Sequence, residues 1–124
     1  MTIWNCIHLY ADVDGVSRLN RAHSIELTTK DFAPPATPML VARAPRATAL
    51  DFLELPVGWY GGWHPSPADQ WVFCLAGEMG YEAGDGSVFT LRAGSYILTT
   101  DTRGTGHNSW NAGTVPVQLA LVGI

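Results

Sequence analysis

Lysine occurs once in this chain, at Lys30, and the seven basic side chains are outnumbered by eleven acidic ones, for a formal net charge of −4. Nucleic-acid affinity comes mainly from basic side chains that neutralise phosphates, so DNA and RNA are excluded as main partners. An anionic membrane surface is disfavoured for the same reason. Charged residues make up only 15% of the chain, against about 25% in an average globular protein. The hydrophobic share is 47%, which supplies a core and rules out intrinsic disorder. No apolar run approaches the roughly 18 residues of a membrane-spanning helix. The first residues, MTIWNCIHLYADVDG, lack a basic head before an apolar run and do not read as a signal peptide, so a cytoplasmic location is the expectation. Only two cysteines are present, Cys6 and Cys74. They are too far apart for a CxxC pair and read as buried free thiols.

The 124 residues amount to one domain, since domains run to roughly 100–200 residues. Also missing is a sustained 3.6-residue apolar stripe. Thirteen glycines and eight prolines instead punctuate short apolar runs: Ser24–Thr28, Pro38–Ala42, Thr48–Leu55, Trp71–Ala76, Gly80–Glu82, Ser87–Leu91, Ser95–Thr100 and Pro116–Val122. Short runs at this spacing predict an all-β sandwich or barrel. The Asp85-Gly86 step between two of them is a hairpin signal. WVFCLAG is apolar at both parities, as in a strand buried on both faces. Asp31–Pro38 holds three prolines and reads as an extended loop or edge segment. The first dozen residues are expected to be loosely attached or used in an oligomer contact.

Four histidines occur. His8 and His23 read as surface or edge residues. His64, in GGWHPSPADQ, and His107, in DTRGTGHNSW, sit in glycine-rich stretches where backbone can crowd a pocket. Side chains alternate along a strand, so Gln70 and Cys74 are expected to face one way and Trp71 the other. A buried glutamine needs hydrogen-bond partners or a ligand, and Gln118, in the apolar run PVQLALV, poses the same question. Asp101 reads as a turn former. Trp59, Tyr60 and Trp63 suggest an aromatic wall around His64, and Tyr96 reaches either face.

These residues resemble a small single-domain cupin spanning 1–124. The first cupin motif would run from Gly58 through His64, Ser66 and Gln70 to Gly77, with five residues between Gly58 and His64 and six between Gln70 and Gly77. The second would run from Gly94 through His107 to Asn111, without the family's proline turn. The resemblance implies an all-β fold, a cupin-type jelly-roll barrel (double-stranded β-helix). It also implies a homodimer, a small-molecule substrate or ligand, and a pocket at the motif residues. Metal-binding cupins offer His, His, Glu and His. Here the corresponding residues are His64, Ser66, Gln70 and His107, leaving His64, Gln70 and His107 as the candidate ligands of Fe, Ni, Zn or Mn. Two imidazoles favour such transition metals over Mg or Ca.

Three functions follow as expectations. The first is an enzyme in which His64 and His107 act as general acid and base on a small organic metabolite, by isomerisation, cyclisation, dehydration or decarboxylation. Gln70, Cys74, Tyr96, Gln118 and Trp59 would then bind the substrate, and no metal is required. The second is a transition-metal enzyme such as a dioxygenase. The third is a binding protein without turnover.

Overall fold

Along Gln70–Ala76 every second side chain is buried: Gln70, Val72 and Cys74 turn inward, while Phe73 and Leu75 face out. Val117, Leu119 and Leu121 do the same along Val117–Gly123. Period-2 burial of this kind is what an extended chain lying on a core produces. The computed structural model describes residues 2–44 and 46–124. Among these residues there are eleven strands and no helix. They are β1 (Thr2–Ala11), β2 (Ser17–Lys30), β3 (Met39–Val41), β4 (Ala49–Leu55), β5 (Tyr60–His64), β6 (Gln70–Ala76), β7 (Glu78–Glu82), β8 (Val88–Arg92), β9 (Tyr96–Thr99), β10 (His107–Asn111) and β11 (Val117–Gly123).

The strands form two sheets. The larger runs β3-β2-β1-β9-β6-β11-β4 and the smaller β5-β10-β7-β8. Between them lies an aliphatic core. Leu9, Val72, Ile97 and Leu119 come from the larger sheet, and Met79, Tyr81 and Leu91 from the smaller. The all-β reading holds, and so do the eight runs anticipated from the sequence, to within two residues at most ends; β2 is longer than its run by seven residues at its start. The Asp85-Gly86 step closes the β7–β8 hairpin, with the Ala83 amide donating to the Ser87 carbonyl at 2.8 Å.

Two expectations are corrected. The N-terminal segment is not loosely attached. β1 lies inside the larger sheet, antiparallel to β2 and parallel to β9, and Leu9 is 0% exposed; Met1 lies outside the described residues. The apolar residues of β1 occupy both parities because the strand is paired on both sides and bends at a register shift between Cys6 and His8. Gln118 is not an interior residue. The burial of Val117, Leu119 and Leu121 turns it outward, where its Nε2 donates to Glu54 Oε1 at 3.2 Å on the exposed surface. Both cysteines are buried free thiols, as expected.

Candidate functional site

β5 and β10 pair antiparallel, with His64 directly opposite His107. Directly opposed residues share a face of the sheet, and the two imidazole centroids stand 4.7 Å apart at an interplanar angle of 56°. Gly106 permits this approach. A Cβ there would lie 2.0 Å from the His64 carbonyl oxygen, and the backbone takes a φ of +72°, a region side-chain-bearing residues avoid. The turn is held in place from β2, where the buried Ser17 hydroxyl donates to the Gly106 carbonyl at 2.7 Å.

Each ring is oriented through Nδ1. His64 Nδ1 lies 2.8 Å from the Gly62 carbonyl oxygen, and His107 Nδ1 lies 2.6 Å from Asp101 Oδ2. A carbonyl and a carboxylate only accept hydrogen bonds. Both Nδ1 atoms therefore carry the proton, and in the neutral rings both Nε2 atoms present a lone pair. Asp101 is 0% exposed. Its other oxygen accepts from the Ser66 hydroxyl at 2.6 Å, and its backbone carbonyl accepts from the Ser66 amide at 3.0 Å. Ser66, Asp101 and His107 thus form one buried chain of hydrogen bonds.

In the sequence Asp101 has the character of a turn former. It is instead the group that holds His107, and the only local signal was an acidic residue at a strand end. Tyr81 was missed altogether. Its ring lies 5.4 Å from His107 and stacks on Phe89 at 4.9 Å. Burial, reinforced by the proximity of Cys74 and Asp101, pushes its phenol well above the ordinary tyrosine range.

The other candidates are placed differently. Gln70 opens β6 opposite Thr99, buried, at the end of the sandwich where the 64–70 and 99–107 connections lie. Cys74 faces inward but packs in the core, its Sγ 3.5 Å from the Ala76 carbonyl oxygen, and burial raises its thiol pKa. Tyr96 is turned to the outer face of the larger sheet beside Trp71 and Phe73. There it lines an apolar cavity of about 740 Å³ with Trp4, Ile25, Phe32 and Leu98. Trp59 lines a separate cleft of about 390 Å³. Neither histidine lines either cavity, so the aromatic wall expected around His64 does not form from Trp59, and Trp63 is 48% exposed.

The donor chemistry bears on a metal. His64 and His107 offer two Nε2 atoms. Ser66 and both Asp101 oxygens are committed to one another and to His107. No group of three or more His, Cys, Asp or Glu side chains among the described residues is arranged to hold a metal ion. Gln70 is the remaining donor, an uncharged amide oxygen. Two imidazoles and one neutral oxygen lack the carboxylate charge of a His, His, Glu and His set and would hold a divalent transition metal less tightly than that set does.

Among solved structures, the chain is similar to a protein of Neisseria meningitidis at 21% identity, covering 60% of this chain and 70% of that one with a TM-score of 0.47. It is also similar to a cupin 2 conserved barrel domain protein from Leptotrichia buccalis at 18% identity, covering 80% of this chain and 41% of that one with a TM-score of 0.49. A third likeness is a conserved protein of unknown function from Streptococcus pyogenes at 24% identity, covering 68% and 70% of the two chains with a TM-score of 0.48. No curated protein matches the chain. The family model of the cupin domain matches residues 51–123, which include β4 to β11 apart from the first two residues of β4 and contain both histidines of the pair. The chain belongs to the cupin family.

Proposed function

We propose that this cupin is an enzyme that moves protons on a small organic metabolite, with His64 and His107 as its general acid and base. One observation carries the reading. Both rings spend Nδ1 on acceptor-only partners, which leaves two Nε2 atoms on imidazoles 4.7 Å apart. An imidazole titrates near neutrality and can both donate and accept a proton at working pH. A pair of them can take a proton from one atom of a substrate and return it to another, the net change in isomerisation, or deliver it to a hydroxyl that leaves as water, as in dehydration. Asp101 fixes the tautomer and orientation of His107, as a carboxylate does for a catalytic histidine. His64 is the more exposed of the two and is suited to exchange its proton with solvent. Tyr81, protonated and next to His107, supplies a hydrogen-bond donor. In the alternative reading the same two Nε2 atoms, with Gln70, hold a metal.

The test is proton exchange in D2O. The chain is incubated with small metabolites carrying an acidic C–H beside a carbonyl, and deuterium incorporation is followed by proton NMR. Catalysed exchange that is lost in both His64→Ala and His107→Ala and is unchanged by a chelator supports the reading. Exchange that survives both substitutions removes it. Exchange that a chelator abolishes and added metal restores turns the assignment to the metal enzyme.

A further inference from the structure

On the opposite face of the smaller sheet, away from the histidine pair, lies the cleft of about 390 Å³. Its floor is formed by β10. His107, Ser109 and Asn111 take one parity along this strand, and Asn108 and Trp110 take the other. Asn108 is flanked by Trp63 on β5 and Glu82 on β7, and Trp110 by Tyr60 and Gly80.

Trp110 lies flat. A Cβ on Gly80 would stand 2.2 Å from Trp110 Cε2 and 2.4 Å from its Nε1, so the indole rests directly on the β7 backbone. One π face is pressed to the sheet and the other is turned to the cleft. Tyr60, and Trp59 from the edge of the core, also line the cleft. Of the lining side chains, Glu82 alone carries a charge, and it takes part in none of the ion pairs among the described residues.

Asn108 supplies the second, independent observation. It lines the cleft but is only 6% exposed. Its Nδ2 donates to the Tyr60 hydroxyl oxygen at 2.9 Å, while its Oδ1 is buried without a partner. A buried acceptor left unsatisfied is costly and marks a place where a donor belongs. Asn111, by contrast, is fully used: its Nδ2 faces the Leu55, Pro56 and Val115 carbonyls, and its Oδ1 accepts from the Gly113 amide. It is a structural residue.

The geometry points to this cleft as a binding site for a small organic ammonium ion that carries N–H groups. The indole face attracts a cation through its quadrupole. Glu82 supplies the opposite charge, and Asn108 Oδ1 is an acceptor without a partner of its own, to which an N–H of the ammonium can donate. Anions find no positive lining group. The site is separate from the histidine pair and does not depend on how that pair functions.

Titration of the ¹⁵N-labelled full chain tests it, with propylammonium chloride as the probe and tetramethylammonium chloride as the comparator. The indole N–H signal of Trp110 is identified by its loss in Trp110→Phe. Propylammonium is expected to shift that signal and the backbone amides of Asn108 and Glu82 along a saturating curve. Binding is expected to weaken about tenfold in Glu82→Gln, a shape-preserving change on a part-exposed residue, and about tenfold with tetramethylammonium, which has no N–H to offer. Absence of a saturating shift at Trp110 overturns the proposal. So does equal affinity in Glu82→Gln, or for the quaternary ion.

Discussion

His107 donates its Nδ1 proton to Asp101 across 2.6 Å, and five residues separate the two within the seven-residue connection from β9 to β10. The carboxylate is fully buried and its second oxygen is taken by Ser66, so it has one orientation. That orientation dictates which nitrogen of His107 is left free.

Asp101→Asn tests this dependence. Asn keeps an oxygen for Ser66 and presents its NH2 group to His107, which then must accept at Nδ1 and carry its proton on Nε2. Imidazole ¹⁵N shifts are expected to report protonated Nδ1 in the parent chain and protonated Nε2 in the variant. The deuterium exchange proposed above should fall by roughly a thousandfold or more while the fold is retained, the scale seen when a catalytic histidine is held in the wrong tautomer. Unchanged ¹⁵N shifts would show that Asp101 does not set the tautomer.

Gly106→Ala addresses the approach of the two strands. The added methyl would meet the His64 carbonyl oxygen at 2.0 Å and the Pro65 nitrogen at 2.3 Å, both backbone atoms that cannot swing aside, at a φ that alanine disfavours. The β5–β10 register should open, and contacts between the His64 and His107 rings should vanish from nuclear Overhauser spectra. Stability should drop by at least ~1 kcal/mol. Retention of the ring contacts at parental stability would refute the account of this turn.

Leu9→Ala measures how far the N-terminal strand belongs to the core. Leu9 is wholly buried among residues of both sheets. The substitution is expected to lower unfolding free energy by about 2–5 kcal/mol, read as a shifted urea midpoint. A change below ~0.5 kcal/mol, typical of surface sites, would place β1 outside the cooperative unit.

Acid should weaken the fold through His8. Burial lowers its pKa, and the neighbouring His23 lowers it further, against smaller opposing effects from Asp69 and Asp101. In the unfolded chain the ring titrates near ~6.5. Between the folded and unfolded values the unfolded state binds more protons, so stability rises with pH across that window. The contribution is complete above ~6.5 and is lost as pH falls through the folded value. Urea midpoints at neutral and mildly acid pH should differ in the parent chain and converge in His8→Gln. Asp12 and Asp85, lowered chiefly by their hydrogen bonds to Arg18 and to the Ser87 amide, lose their contributions only in the more acidic carboxylate range. The same slope in His8→Gln would assign the effect elsewhere.

The legible parts of this chain were those that depend on neighbours in sequence. Asp85-Gly86 makes its turn from local backbone preference, and QWVFCLA alternates because an extended chain has period two. Gln118 could have been placed correctly by the same rule, since Val117, Leu119 and Leu121 are the bulkier set. Its polarity inside an apolar run is the misleading signal. β1 escaped because a strand flanked by two others, with a register shift in its middle, shows no clean alternation. β5 and β10 escaped because glycine, histidine, serine and asparagine carry little strand preference; their pairing with each other holds them extended.

By itself, then, the sequence determined the β architecture, the acidic net charge, and the two histidines within a cupin spacing. Short-range steric and hydrophobic patterns are sufficient for these. Only the tertiary structure decided that His64 meets His107, that Ser66 and Asp101 serve the second ring, that Trp59 packs against the core and that Tyr96 lies on the outer face of the larger sheet. Each of these depends on which strands lie side by side and which face closes on the core, and that is settled when the two sheets pack together.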